Sequence, residues 1–230
     1  MASAQDADSA EQVSLPDAYE VLERAIEAIG GEESIRKVNT QRMKGTFSIP
    51  AQGFSADILI LRSAPDKVRI KVMSGGMTLV DRGTNGTDAW ASQGPGAPPV
   101  LLKGKEKETA LREGDYFSSL TPRTEYPEAE TVGIETVNGE RAYKLRLVDR
   151  GDKESFGYYS VENGLRLRAE NDEGVQTFTK YEEHDGVLVP MAMEIAAVTP
   201  YGEIVQQMKM TSIEQNIDLA RDAFSTPGSN

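Results

Sequence analysis

From Thr40 to Met210 the chain repeatedly alternates apolar and polar side chains with a period of two. The first such run sets Met43, Gly45, Phe47 and Ile49 against Arg42, Lys44, Thr46 and Ser48, which predicts a strand with one buried and one wet face. The same alternation recurs in Phe54, Ala56, Ile58 and Ile60, in Val68, Ile70 and Val72, and in Tyr143, Leu145 and Leu147. It returns in Met191, Met193 and Ile195 and in Met208 and Met210. Between these runs stand Asn85-Gly86, Asn138-Gly139, Asn163-Gly164 and Asp185-Gly186, dipeptides that tolerate positive φ and suit tight hairpins. Such signals mark roughly eleven strands in a meander, and that many consecutive antiparallel strands must curl or close to cover their faces.

The period is helical only before the first strand. Ser14-Leu15-Pro16-Asp17 has the form of a capping box, and Ala18, Val21, Leu22, Ala25, Ile26 and Ile29 then form one apolar stripe ended by Gly30-Gly31. A second short helix through Ile35 and Val38 is predicted to lead into the sheet. Residues 1–13 are polar and acidic without periodicity and read as a mobile tail. One interruption breaks the meander, from Gly94 to about Pro127. Gly94-Pro95-Gly96-Ala97-Pro98-Pro99 is a loop by composition, and Lys105 to Phe117 is a helix candidate with Leu111 and Phe117 apolar. This insertion is expected either to lid the sheet or to run as a surface connection.

Charge and composition narrow the function. Thirty-seven acidic against twenty-five basic residues give a formal net charge of -12 with no basic patch, which disfavours nucleic acid and anionic bilayer surfaces as partners. A mean hydropathy of -0.46 and the lack of a long apolar run exclude a membrane-spanning helix, so no stable membrane insertion is expected. There is no cysteine, which removes disulfides, thiolate catalysis and cysteine metal sites. The first fifteen residues contain neither a basic nor an apolar leader region, yet Ala2-Ser3-Ala4 has the small-x-small form of a cleavage site, as a processed leader would leave.

Catalytic signatures are weak. The single histidine, His184, lies in Glu182-Glu183-His184-Asp185-Gly186, a solvated strand end entering a turn, and is not expected to act as a general base. Gly94 and Gly96 precede Lys103 and Lys105, but prolines replace the backbone donors that a phosphate loop requires. The carboxylate pairs Glu106/Glu108, Asp172/Glu173 and Glu182/Glu183 lie in polar stretches, and adjacent acids on a strand point to opposite faces. Asn85-Gly86-Thr87 fits a glycosylation sequon but is accounted for as a turn. No catalytic residue, metal or cofactor is expected.

Methionine is the informative residue. Met43, Met77, Met191, Met193, Met208 and Met210 occupy apolar strand phases where valine or isoleucine has the higher β propensity. Flexible, polarizable side chains suit a surface that repacks around variable apolar ligands, and they also fill irregular cores. Burial gains about 0.8 kcal/mol per methylene, so roughly ten methylenes offer ~8 kcal/mol before ordering costs, the scale of micromolar binding.

Several segments together resemble the outer-membrane lipoprotein-sorting, LolA/LolB-like superfamily. They are the helix ending Ala28-Ile29-Gly30-Gly31, Arg42-Met43-Lys44-Gly45-Thr46-Phe47, the strands flanking Ala64-Pro65-Asp66-Lys67-Val68, and Asn85-Gly86-Thr87-Asp88-Ala89-Trp90. Val137-Asn138-Gly139-Glu140-Arg141-Ala142-Tyr143-Lys144-Leu145, Val161-Glu162-Asn163-Gly164-Leu165, Asp185-Gly186-Val187-Leu188-Val189-Pro190 and Asp222-Ala223-Phe224 with Pro227 follow in order. The resemblance implies a mainly β (α+β) fold. Residues 14–230 would form one half-open antiparallel β-barrel, with the N-terminal helix and the mid-chain insertion covering its concave side.

It further implies a non-enzymatic periplasmic carrier or chaperone for a lipid or acylated lipoprotein, with envelope membrane proteins as further partners. The alternative is a protein-interaction or sensor module of the envelope using the same fold without a ligand. Trp90 matches the aromatic that follows the family's Asp-Gly turn, and the family's Arg-Pro lid latch is here Ala64-Pro65, with Arg62 two residues earlier. Met43, Phe47, Ile58, Ile60, Val68, Ile70, Trp90, Met191, Met193, Met208 and Met210 are the residues expected to line the apolar cavity.

Overall fold

The structure is a computed structural model, and it describes residues 14–199 and 202–226. The tail at 1–13 and Pro227 lie outside the described residues. Helices α1 (Ala18–Ala28) and α2 (Gly31–Arg36) precede strands β1 (Thr40–Ile49), β2 (Phe54–Ser63), β3 (Lys67–Ser74), β4 (Met77–Asn85), β5 (Ala89–Ser92) and β6 (Pro99–Leu101). Helices α3 (Gly104–Glu113) and α4 (Pro122–Glu125) follow. Strands β7 (Glu128–Val137), β8 (Glu140–Val148), β9 (Glu154–Ser160), β10 (Arg166–Asn171), β11 (Gly174–His184), β12 (Val187–Thr199) and β13 (Gly202–Gln215) come next.

Among the described residues, thirteen strands form one open antiparallel sheet in the order β6-β5-β4-β3-β2-β1-β13-β12-β11-β10-β9-β8-β7. The expected count was eleven. Strands β5 and β6 are four and three residues long, too short to show alternation, and β6 begins at Pro99 inside the segment read as loop. A proline is tolerated there because β6 is an edge strand. The sheet closes its middle by pairing the first strand with the last, Met43 opposite Ile213 and Phe47 opposite Met208.

Its outer edges are β6 and β7, and these two strands are consecutive in the sequence. Residues 102–127 therefore run from one edge of the sheet to the other. The interruption in the sequence is the crossing that spans the open side.

Two of the four expected tight turns have both central residues at positive φ: Asn138 (51°) with Gly139 (86°), and Asp185 (48°) with Gly186 (80°). Only residues that tolerate the left-handed region fit there. Helix α1 starts one turn detail away from expectation, because Asp17 itself is the cap and accepts from the amides of Tyr19 and Glu20. Ser14 is not involved in that cap. A carboxylate does this as well as a hydroxyl and also favours the positive end of the helix dipole.

Helix α1 buries Ala18, Val21 and Leu22 against Leu145, Leu147 and Tyr159 of β8 and β9. Ile35, Val38 and Val187 form a second cluster, joined by Tyr116, Phe117 and Leu120 of the crossing segment. The amide of Tyr116 donates to the Pro65 carbonyl at 2.8 Å, which pins the crossing to the turn between β2 and β3. At its far end Tyr19 Oη donates to the carbonyls of Tyr126 (2.9 Å) and Pro127 (3.2 Å), tying it to α1.

Candidate functional site

Residues paired across adjacent strands share a face, so the register defines what the concave side presents. Met43 pairs with Ile60, Ile60 with Ile70 and Arg62 with Val68, which places Arg62 in phase with the apolar residues of β2. Two cavities open on this face. One, of about 420 Å³, lies beneath α1 and the segment from Ser118 to Tyr126, with Leu22, Ala25, Ile26, Ile29, Phe178, Leu188 and Pro190 as apolar wall. The other, of about 430 Å³, lies beneath α3, with Val68, Ile70, Ala91, Leu102 and Ala110 among its lining residues. Arg62 borders both and stands between them.

The polar groups of the first cavity are few and distinctive. Arg62 and Arg166 face it with Tyr126, Tyr159 and Tyr181. Arg166 reaches the concave face because the ladder between β9 and β10 shifts between Arg166 and Arg168, so that Arg166 pairs with Tyr159. Irregular pairing of β11 around Phe178, Lys180 and Tyr181 likewise brings Phe178 and Tyr181, three residues apart, to one cavity. Burial raises the phenols of Tyr116 and Tyr126 above their ordinary range and pushes Tyr181 up to about 12, so all three stay protonated near neutrality. Burial also lowers the Arg62 guanidinium, which nevertheless keeps its charge at any physiological pH.

The expected cavity residues divide into groups. Val68, Ile70 and Trp90 border the cavity beneath α3. Met43, Ile58, Met191 and Met210 are buried in one cluster, with Phe47, Ile60 and Met208 packed against it. Met193 pairs with Met208 and Phe178 and is half-buried.

Trp90 is fully buried, and its indole serves the opposite face from Val68 and Ile70. Its Nε1 donates to Asp81 Oδ1 at 3.2 Å and the Arg69 guanidinium lies 5.6 Å from its ring centre. Arg69 joins Asp81 by two hydrogen bonds of 2.9 and 2.7 Å and donates to the Ala223 carbonyl at 3.0 Å, which holds the C-terminal segment there.

Sequence reasoning passed over Arg166, Tyr126, Phe178 and Tyr181 as site residues and noted Arg62 only for its place beside Ala64-Pro65. For Arg62 a signal existed, since it continues the apolar phase Ala56, Ile58, Ile60. For Arg166 none did, because a bulge sets its direction.

His184 ends β11 with its side chain 26% exposed, its Nε2 buried without a hydrogen-bond partner and 3.9 Å from Glu182. Glu182 itself engages Lys180 at 2.5 Å. Among the described residues no group of three histidine, aspartate or glutamate side chains is arranged to hold a metal ion, and no helix is long and apolar enough to cross a membrane.

A curled, half-open sheet with helices over an apolar hollow defines a class of fold, and solved structures share it. A DUF1329 family protein from Desulfovibrio piger superposes with a TM-score of 0.63 at 12% identity, over 91% of this chain and 98% of that one. A LolA superfamily protein from Nitrosomonas europaea gives 0.60 at 15% identity, over 92% and 99%. An outer-membrane lipoprotein-sorting protein domain from Vibrio parahaemolyticus gives 0.59 at 13%, over 91% and 97%. The fold of this chain is that of the LolA superfamily and lipoprotein-sorting domains. No protein-family model matches the sequence, and no curated protein matches it significantly.

Proposed function

We propose that this protein is a non-enzymatic carrier or chaperone of the bacterial periplasm that shelters a lipid, or the acyl chains of a lipoprotein, in an apolar cavity. The observation that carries this reading is the hollow of about 420 Å³ between α1, the crossing segment and the concave face. Its size lies within the range of small-molecule sites, and its wall is apolar with a few converging polar groups. The hollow beneath α3 adds a second space of similar volume, with Val68 and Ile70 at its border. The cluster of Met43, Phe47, Ile58, Ile60, Met191, Met208 and Met210, with Met193 beside it, acts as a floor that repacks around different chains. Residues 14–230 act as one domain, and envelope membrane proteins donate and receive the cargo.

Native mass spectrometry of the protein purified from its own source, followed by organic extraction, tests the reading. A stoichiometric acylated or isoprenoid molecule is expected. A bare protein whose melting temperature does not move with added lipid overturns the carrier.

A second reading, an envelope interaction or sensor module without a ligand, is favoured by one observation. The methionine-rich part of the concave face is filled by its own side chains. Under that reading delipidated protein gains no thermal stability from any lipid.

A further inference from the structure

Arginine is the side chain least able to shed its charge on burial, and two arginines border the cavity beneath α1. The Arg62 guanidinium stacks over the Tyr116 ring, 5.4 Å from its centre, and the Arg166 guanidinium lies 5.7 Å from the centre of Phe178. Arg166 Nε is buried with no hydrogen-bond partner. Around Arg166 stand Tyr126, Tyr159 and Tyr181. The phenols of Tyr126 and Tyr181 are held protonated by burial and provide no counter-charge. The one carboxylate on the cavity wall, Glu125, is engaged by Arg150 Nη2 at 2.9 Å. Among the described residues no carboxylate forms an ion pair with Arg62 or Arg166.

A sheltered charge without a counter-ion is strongly unfavourable. Two nearby arginines are treated differently: Arg69 of β3 is joined to Asp81, and Arg168 of β10 to Glu170. Arg62 and Arg166, which face the hollow, have no such carboxylate, and both sit against an apolar wall. We propose that the cavity binds an amphiphile with an anionic head, a carboxylate or a phosphate, held by Arg62 and Arg166 while Leu22 and Ile26 of α1, with Ile29 just after it, cover its acyl chain. This rests on the carrier reading and adds the charge of the ligand. The net charge of -12 repels anions at long range, so discrimination falls on these two side chains at contact. Guanidinium pairs with carboxylate or phosphate by two parallel hydrogen bonds, which is why the pairing is strong in a sheltered site.

The test uses delipidated full-length protein and four probes: oleate, methyl oleate, 1-oleoyl lysophosphatidate and inorganic phosphate. At least one of the two charged lipids is expected to bind tenfold or more tighter than methyl oleate, which has the same chain without the charge. Whichever does so identifies the head as carboxylate or phosphate. In Arg62→Gln and Arg166→Gln the preference falls towards one while the dissociation constant for methyl oleate stays the same. Equal affinity of the wild-type protein for charged and neutral lipids overturns the anion site and leaves the carrier standing. Binding of none of the three lipids overturns the carrier itself. Inorganic phosphate raising the melting temperature as much as lysophosphatidate assigns the arginines to a free anion and also overturns the proposal. The wild-type comparison decides the matter even where a glutamine variant fails to fold.

Discussion

Arg166 and Arg168 are two residues apart in β10 and serve opposite faces of the sheet. Arg166 pairs with Tyr159 and borders the cavity, whereas Arg168 pairs with Tyr158, lies 5.3 Å from its ring centre and contacts Glu170 at 2.5 Å. A regular strand would put both on one side. The shift in the ladder between them separates a cavity residue from a surface one.

Arg168→Ala is therefore expected to leave lipid binding unchanged and to cost no more than about 1 kcal/mol, because its ion pair with Glu170 is partly solvated. Urea denaturation and a ligand titration on the same sample check both halves of the statement.

Asp81 makes the opposite case. It is 6% exposed and accepts from both Arg69 and Trp90. Removing one partner of a buried pair strands the other charge, so Asp81→Ala is expected to cost about 3 kcal/mol.

The pH dependence of that cost has a defined sign. Burial is the largest influence on Asp81 and would raise its pKa, but the hydrogen bonds from Arg69 and Trp90, with the charges of Arg69 and Lys71, hold it below its ordinary value of 3.8. A lowered folded-state pKa gives stability that is fully present above the unfolded-state value and is lost as pH falls through the folded one. The stability difference between wild type and Asp81→Asn should be constant from pH 6 to 8 and shrink only below about pH 4. Denaturation midpoints across that range measure it.

Gly45 and Gly133 form a matched pair of tests. A Cβ at Gly45 would stand 2.2 Å from the Lys209 carbonyl oxygen and 2.8 Å from Met210 Cα, backbone atoms that cannot yield without parting β1 from β13. At Gly133 nothing lies within 4 Å. Gly45→Ala is expected to destabilise by about 1–3 kcal/mol, and Gly133→Ala to stay within about 0.5 kcal/mol of wild type, by chemical denaturation.

Tyr19→Phe removes the hydroxyl that ties α1 to the end of the crossing segment. The expected loss is about 1 kcal/mol, with faster amide hydrogen exchange in residues 118–126 and no change in β1 or β13. A uniform rise in exchange across the sheet would mean that the tie serves global stability.

Much of the fold was legible in the chain because it is locally encoded. Period-two runs placed β1, β2, β3, β8, β12 and β13, and the apolar stripe from Ala18 to Ile29 placed α1. Asn138-Gly139 and Asp185-Gly186 named their turns because few other residues adopt positive φ twice in succession. The cap of α1 was misplaced by three residues, since Ser14 and Asp17 offer competing acceptors and local pattern does not rank them.

The sequence by itself determined which residues alternate, where the chain turns and that a long crossing interrupts the meander. Only the tertiary structure decided which alternating residues meet a cavity and which meet one another. Met43, Met191 and Met210 share a face with Ile70, yet they are packed in the cluster while Ile70 also borders a hollow, because the helices above the sheet cover it unevenly. Trp90 turned to Asp81 and Arg69 because the register sets it opposite Gly83, whose missing side chain leaves room for the indole. Arg166 reached the cavity through one shift in the ladder. Periodicity is a property of neighbours along the chain, whereas a bulge, a register and the height of a covering helix depend on residues far apart in it, and those set the site.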